Sequence, residues 1–277
     1  MNETVFMDKE KTRTLLLYLF RQLESVCRKY DISYYAYAGT ILGAVRHKGL
    51  IPWDDDMDVV IERKDYDRFV RACDRELALP VTLRTRENDE LFCQEYIKLC
   101  FLEDDGTFSD LSIDIFILDE TNPKKKFLRS FQNAALESLY FIKHYKVTRI
   151  QKDSIYKPKN ALKHALLAAG SLLPIGVIDR WHKRLMTIQT KNMTHFVIWG
   201  SHYSYKKVTF EKQMWSGEEW LPFESAKLRV PVRYLDILAQ MYGPDYMEFP
   251  PEEKRISHGV REPRCKAIDA DWIRRNS

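Results

Sequence analysis

Four aspartates crowd into five positions of this chain, Asp54, Asp55, Asp56 and Asp58, directly after Pro52-Trp53 and at the start of an apolar run. Read as a strand, Asp56 to Glu62 (DMDVVIE) alternates. Met57, Val59 and Ile61 share one face, and Asp56, Asp58 and Val60 share the other, because successive side chains point to opposite sides. Asp56 and Asp58 therefore point the same way, about 7 Å apart, and repel unless a cation lies between them. A third acid, Asp114, stands between Ile113 and Ile115 in SIDIFIL, sharing its face with Phe116. If the two strands are neighbours in one sheet, three carboxylates converge at one edge. Oxygen ligands of this kind suit Mg²⁺ or Mn²⁺ and support metal-assisted in-line displacement at phosphorus. Acids on the solvent face of a strand are common, but so dense a cluster is costly without a counter-ion.

A second chemical feature precedes the acids. Ala38-Gly39-Thr40 joins a strand to a short helix running from Ile41 to Arg46. Glycine allows close backbone approach to a ligand, and helix-terminal N–H groups attract phosphate. The Thr40 hydroxyl can add a hydrogen bond. Arg46, His47 and Lys48 follow at the far end of that helix, as candidates to hold a diphosphate. Arginine would do so by a bidentate fork and lysine as a point charge.

The elements that must position these groups are legible in the hydrophobic pattern. Residues 9 to 30 repeat apolar positions at spacings of three and four (Leu16, Leu19, Phe20, Leu23, Val26, Cys27, Tyr30), which predicts an amphipathic helix. The aromatic-rich run Ser33 to Ala38 predicts a strand. A helix is predicted from about Lys64 to Leu77, burying Tyr66, Phe69, Val70, Cys73 and Leu77. Strands are predicted near Glu95 to Leu102 and Ser112 to Leu118, with a turn at Asp104-Asp105-Gly106. From Lys125 onward the pattern is mainly helical, divided by Pro158, Pro174 and glycines, with a further helix from Val232 to Met241 and an irregular, proline-rich tail.

Composition narrows the class. A chain of 277 residues, 45% hydrophobic and 30% charged, is an ordinary folded protein with a full core. Residues 121 to 165 hold eleven Lys/Arg against Glu137 and Asp153, so this stretch is +9 while the remainder is −5. Such asymmetry suits an anionic partner: a membrane surface, a phosphorylated ligand or nucleic acid. Nucleic acid is disfavoured by the acids of the candidate site and by the lack of any recognisable binding signature. The five cysteines form no CxxC pair and read as buried thiols in a reducing compartment. The start MNETVFMDKE has no signal-peptide pattern, which predicts a cytoplasmic location. The most apolar stretch, Ala165 to Ile178, is too short to span a bilayer and is interrupted by Gly170, Pro174 and Gly176. Preceded by Lys157, Lys159 and Lys163, it makes residues 157–178 a candidate for peripheral contact with the inner face of the cell membrane.

The stretch YAGTILGAVRHKGLIPWDDDMDVVIERKDYDRF, Tyr37 to Phe69, resembles the signature of the LicD family. The similarity resumes at SIDIFIL around Asp114 and at YGPDYMEFPPEEKRISHG near the C-terminus. Two departures are Pro244, inserted between Gly243 and Asp245, and Met57 in place of the commoner Ile. The resemblance implies an α+β, nucleotidyltransferase-like fold, a mixed sheet flanked by helices. Residues 1–120 would form the catalytic core and 121–277 a mainly helical, aromatic-rich elaboration, with a soft boundary. It further implies transfer of phosphocholine, or a comparable phospho-alditol group, from a CDP-activated donor to a glycan acceptor, with distant likeness to fukutin-related proteins. Carried over by position, Asp56 and Asp58 match the metal-binding DxD, Asp114 the third acid, and Gly39 and Thr40 the donor-phosphate turn. Trp53, Asp54, Asp55, Arg255 and His258 are further candidate substrate contacts within the resembling segments.

The expected reaction is attack of a sugar hydroxyl of a cell-surface glycan precursor, lipid-linked, on the choline phosphate of CDP-choline, with CMP leaving. Asp114 would complete the metal site or accept the hydroxyl proton. Two rivals remain at this level: transfer of the nucleotide itself to a small molecule or sugar phosphate, and a non-catalytic scaffold that binds glycan or a partner. A choline head group would need an aromatic cage, for which the last third has many Trp and Tyr and no way to choose among them.

Overall fold

The computed structural model describes residues 7–150, 161–188, 191–200, 203–257 and 259–276. In chain order the elements are α1 (Lys9–Lys29), β1 (Tyr34–Ala36), α2 (Ala38–His47), β2 (Met57–Glu62), α3 (Arg63–Glu76), β3 (Val81–Arg84), β4 (Ile97–Leu102) and β5 (Phe108–Thr121). The second half adds α4 (Lys126–Ile150), α5 (Ala161–Gly170), α6 (Ile175–Met186), β6 (His195–Ile198), β7 (Thr209–Glu211), β8 (Glu219–Phe223), β9 (Ala226–Val230), α7 (Tyr234–Tyr242) and α8 (Ala270–Asn276).

Helix α1 forms where the apolar periodicity predicts it. Asp8 caps it, its carboxylate accepting from the N–H groups of Glu10 (3.1 Å) and Lys11 (3.4 Å), and Arg28 and Lys29 sit in the last turn, where the helix dipole favours cations. Its fully buried stripe, Leu15, Leu16, Leu19 and Phe20, lies in the main core.

The sheet is mixed, in the order β1-β2-β5-β4-β3. β2 and β5 run parallel in its centre, and the other pairings are antiparallel. β5 is 14 residues long and changes neighbours along its length. Its first part pairs with β4, and its end pairs with β6, which in turn pairs with β7. Strands from both halves of the chain thus share one sheet, in an α+β architecture.

Both faces of the central strands are covered. Met57, Val59, Ile61, Ile113 and Ile115 pack into the main core with α1 and α3. On the opposite face Val60 and Leu118 join Tyr37, Phe196, Trp215 and Ile237 in a second cluster, with Phe116 packed against it. At one end of this second face the apolar pattern gives way to Asp58 and Asp114. A buried pair ties helix to sheet nearby: Arg63, the first residue of α3, makes a two-pronged contact with Asp119 of β5 at 2.7 and 2.9 Å.

Two departures from the sequence expectation matter for the site. The strand predicted over Ser33 to Ala38 is confined to Tyr34–Ala36, and α2 begins at Ala38. The Tyr37 carbonyl accepts from the N–H groups of Thr40 (3.0 Å) and Ile41 (3.3 Å), so Gly39 and Thr40 form the first turn of the helix rather than a break before it. The second half, mainly helical as expected, also supplies β6 to β9. The β8–β9 hairpin packs Phe223, Leu228 and Val230 into the main core, and Glu224 at its tip accepts from the Leu50 N–H at 2.9 Å.

Candidate active site

The parallel register places Asp58 of β2 directly opposite Asp114 of β5. Asp56 lies two residues before Asp58, on the same side. Oxygens of the three carboxylates all lie within 4.8 Å of one another. Asp114 is buried, while Asp56 and Asp58 are partly open.

Electrostatics show how strained this arrangement is without a cation. Burial, followed by the charges of Asp54 and Asp114, pushes the Asp56 carboxyl up to about 8. Burial, followed by the charges of Asp56, Asp114 and Asp54, holds Asp58 well above the ordinary carboxylate range. In both cases Lys98 pulls the other way. Lys98 stands opposite Asp114 on β4, with Nζ 2.8 Å from Asp114 Oδ1 and 3.0 Å from Ser112 Oγ. Ser112 Oγ donates to the same Asp114 oxygen at 2.8 Å. One lysine against three clustered carboxylates leaves an excess of negative charge, and the donors are all hard oxygens. The set therefore fits a divalent cation such as Mg²⁺ or Mn²⁺.

The Gly-Thr turn is stitched to this cluster by backbone bonds. The Asp58 N–H donates to Thr40 Oγ1 at 2.7 Å, and the Tyr37 N–H donates to the Asp58 carbonyl at 2.9 Å. Thr40 is buried and sets the position of Asp58, leaving its own hydroxyl proton to donate elsewhere. A Cβ on Gly39 would lie 2.7 Å from Asp54 Oδ2 and 3.8 Å from Asp58 Oδ2, so any side chain there would displace the acids. The start of α2 and the three carboxylates thus border one space, with N–H groups on one side and the acid cluster on the other.

The remaining candidates fall into separate groups. Asp55 turns away toward the tail, accepting from Ser257 Oγ (2.7 and 2.9 Å) and the Gly259 N–H (2.8 Å). Arg46, His47 and Lys48 end α2, roughly 12 Å along the helix axis from Gly39. Arg46 donates to the carbonyls of Tyr246 (3.1 Å) and Glu248 (2.9 Å) and lies over the rings of Trp53 and Phe249. His47 packs edge-on against the same two rings. Arg255 also lies over Trp53 and Phe249 and donates to the Pro250 carbonyl at 2.7 Å. This aromatic-cation cluster clasps the C-terminal tail to α2. Lys48 is exposed, and His258 lies outside the described residues.

Residues 31–111 match the family model described as "LicD/FKTN/FKRP, nucleotidyltransferase domain". Over 255 residues the chain is 27% identical to the lipopolysaccharide cholinephosphotransferase LicD of Haemophilus influenzae, covering 86% of this chain and 91% of that protein. The chain is thus similar to the LicD family, most directly over residues 31–111. Two uncharacterised Rickettsia proteins are similar over a shorter stretch. That of Rickettsia typhi is 42% identical over 60 residues, 22% of this chain and 19% of its own length. That of Rickettsia prowazekii is 44% identical over 54 residues, 19% of this chain and 20% of its own. The LicD model covers Gly39, Thr40, Asp56, Asp58 and Lys98 but ends before Asp114, which strand register alone brings into the cluster.

Lys98 and Tyr96 are the residues of this site that sequence reasoning missed. Burial, then the charge and hydrogen bond of Asp114, push the Tyr96 phenol up, and its ring packs 4.5 Å from that of Phe116. The signal for Lys98 was present: it is a lone cation within the apolar run IKLCFL, as Asp114 is a lone acid in SIDIFIL. Lys98→Met is expected to lower the stability of the metal-free protein by about 3 kcal/mol, the lower end for breaking a buried ion pair. Urea denaturation in EDTA reads this directly. An unchanged midpoint would show that Lys98 does not hold the acids together.

Proposed function

We propose that the protein transfers phosphocholine, or a closely related phospho-group, from a CDP-activated donor to a sugar hydroxyl of a glycan precursor, with CMP leaving. The observation that carries this reading is the convergence of Asp56, Asp58 and Asp114 beside the first turn of α2. Its support for the chemistry is the name of the Haemophilus relative, a cholinephosphotransferase acting on lipopolysaccharide. Asp56, Asp58 and Asp114 would hold Mg²⁺ or Mn²⁺, and when bound the ion supplies charge neutralisation on the donor diphosphate and the departing nucleotide. The N–H groups at the start of α2, with the free proton of the Thr40 hydroxyl, receive phosphate oxygens. Lys98, with Nζ 2.8 Å from Asp114 Oδ1, orients Asp114. Asp114, or Asp58 beside it, takes the proton of the attacking hydroxyl at a carboxylate oxygen.

The acceptor in this reading is lipid-linked and met at the inner membrane face. Large apolar side chains stand exposed on α4 to α6 and the turn between the last two: Phe127, Phe131, Leu166, Leu172 and Trp181. Lys124, Lys125 and Lys126 are exposed beside the first of them, a combination suited to an anionic lipid surface. Lys157 and Lys159, part of the candidate contact 157–178, lie outside the described residues. No helix among the described residues is long and apolar enough to cross a membrane.

The direct test is product identity. CDP-choline, CDP-ribitol and CDP-glycerol are each incubated with the protein, Mg²⁺ and a pool of lipid-linked glycans. Release of CMP with CDP-choline is the expected result. Release of diphosphate from a nucleoside triphosphate, with no CMP from any CDP-linked donor, would instead mean nucleotidyl transfer.

A further inference from the structure

Helices α4 and α6 carry their polarity inverted. α4 buries Arg129, Gln132 and Lys143 and leaves Phe127 88% and Phe131 58% exposed. α6 buries His182 and leaves its chain neighbour Trp181 46% exposed. Leu172, in the turn that leads into α6, is exposed as well. Single apolar residues at a surface are ordinary. The informative case is a pair of helices that hide polar side chains and show aromatic ones.

The buried polar groups hold this orientation from the inside. Lys143 Nζ reaches both oxygens of Asp179 on α6, at 3.0 and 2.8 Å, and Arg86 donates to the same carboxylate at 2.7 Å. His182 Nε2 lies 3.0 Å from Glu95 Oε1, and the Gln132 amide donates to the Leu185 carbonyl. These contacts lock the two helices to each other and to the segment before β4, with their polar sides inward.

Between the outward sides runs a groove of about 430 Å³. Phe131, Ala135 and Leu139 line it from α4, and Trp181, Arg184 and Leu185 from α6. Ser138 lies in it too, but its hydroxyl donates to the Ala134 carbonyl at 2.7 Å and so is satisfied within the helix. Arg184 is exposed and lines the groove with a long aliphatic stem that ends in charge. Phe127 stands one turn before Phe131 on the same side of α4 and extends the apolar strip.

The charge around the groove is mainly of one sign. Arg180, Lys183 and Arg184 are exposed on α6, and Lys124, Lys125 and Lys126 at the start of α4. Glu87 approaches one of them, Lys183, at 3.9 Å. Residues 121 to 150 contain one acid, Glu137, and the one acid of α6, Asp179, is turned toward Lys143 and Arg86. Hydrocarbon framed by cations matches an anionic amphiphile, with its chain in the groove and its head group among the bases. An apolar helix of a partner would match the wall and leave the cations without counter-charge.

We propose that this groove takes one acyl chain of an anionic phospholipid, so that the α4–α6 face inserts into a bilayer rather than resting on its head groups. This deepens the membrane contact proposed above and rests on it, not on the identity of the donor.

The test uses the full chain and vesicles of phosphatidylglycerol with brominated acyl chains, beside phosphatidylcholine vesicles brominated in the same way. Bromine quenches tryptophan fluorescence on contact. Wild type should bind the anionic vesicles at least about 10-fold more tightly than the neutral ones, and its fluorescence should fall on binding. Trp181→Phe keeps an aromatic wall and should lose most of that quenching while still binding. Ala135→Leu fills the groove without altering any charge, and Phe131→Ser removes an exposed ring. Each should weaken binding to anionic vesicles by about 10-fold. Quenching that survives Trp181→Phe, or binding unchanged in the other two variants, would mean adsorption by charge alone and overturn the groove. No binding by wild type would overturn the groove and the membrane contact together. A dimer seen by sedimentation without lipid, and dissolved by Phe131→Ser, would assign the face to a second copy of the chain and overturn the lipid. CMP release from CDP-choline is read on the same variants. Release without chain contact would leave the transfer reading standing and remove the groove, and chain contact without release would do the reverse.

Discussion

Asp58→Asn is expected to lower CMP release from CDP-choline by roughly 1,000-fold while leaving the metal-free protein folded and somewhat more stable. The two effects have one cause. Asp58 faces Asp114 across the central parallel pair, with Asp56 beside it, and among the described residues Lys98 offsets their charge. Asparagine keeps the shape and removes one negative charge from a cluster in which burial and mutual repulsion already oppose ionisation. Its amide can donate to a neighbouring carboxylate, so no buried polar group is stranded. The proposed catalysis needs the opposite property, because a cation would have to be drawn to the point where charge develops on the donor diphosphate. A residue kept for function at the expense of stability has this signature, whereas a structural acid would destabilise when replaced. The measurement pairs CMP release with thermal unfolding in EDTA. Near-normal turnover in Asp58→Asn would remove the proposed mechanism, and a lower Tm would remove the claim of stored repulsion.

At a fixed concentration equal to 100 times its Kd at pH 8, divalent metal is expected to raise Tm by roughly 5–10 °C at pH 8, and the same concentration to raise it by less at pH 5.5. The linkage arithmetic gives about 2.7 kcal/mol at that ratio, and a chain of this size moves roughly 2–4 °C per kcal/mol. The pH dependence follows from the raised carboxyl of Asp56. Its unfolded value is about 3.9, and the folded protein holds it at about 8. Between those values the folded state keeps a proton that the unfolded state has released, so metal-free stability falls as pH rises through the window and levels off above pH 8. Asp58, raised in the same direction, adds to the fall. Bound metal favours the ionised carboxylates and cancels it. Other groups also titrate across this range, so the informative quantity is the difference between wild type and Asp58→Asn at each pH. A metal-induced shift equal at both pH values, or present undiminished in the variant, would mean that the ion binds elsewhere.

Together the two experiments separate the acid cluster from the rest of the scaffold. Arg46, His47 and Trp53, close to the acids in sequence, and Arg255, from the resembling C-terminal segment, together hold the tail against α2.

Much of this was written in local pattern. The 3.6-residue periodicity of Leu16, Leu19, Phe20 and Leu23 specifies α1, and the two-residue alternation in DMDVVIE and SIDIFIL specifies β2 and the central part of β5 together with the side on which their acids lie. These are short-range consequences of backbone geometry, so residue order alone determines them. Which strands become neighbours is a long-range matter. The parallel pairing of β2 with β5, and its register, decide that Asp114 meets Asp58, and the antiparallel pairing of β4 decides that Lys98 completes the group. A one-residue slip would send each of these side chains to the opposite face. The cavity lined by Tyr140, Trp199, Tyr203 and Tyr205 is less legible still. Its rings come from α4 and from the segment after β6, more than 50 residues apart in sequence. Only the packing of those elements distinguishes rings that line a space from rings that fill the core. The sequence therefore determined the chemistry available and the local elements that carry it. The tertiary structure decided which of those groups meet, because strand pairing and helix docking depend on burial summed over the whole core rather than on any local signal.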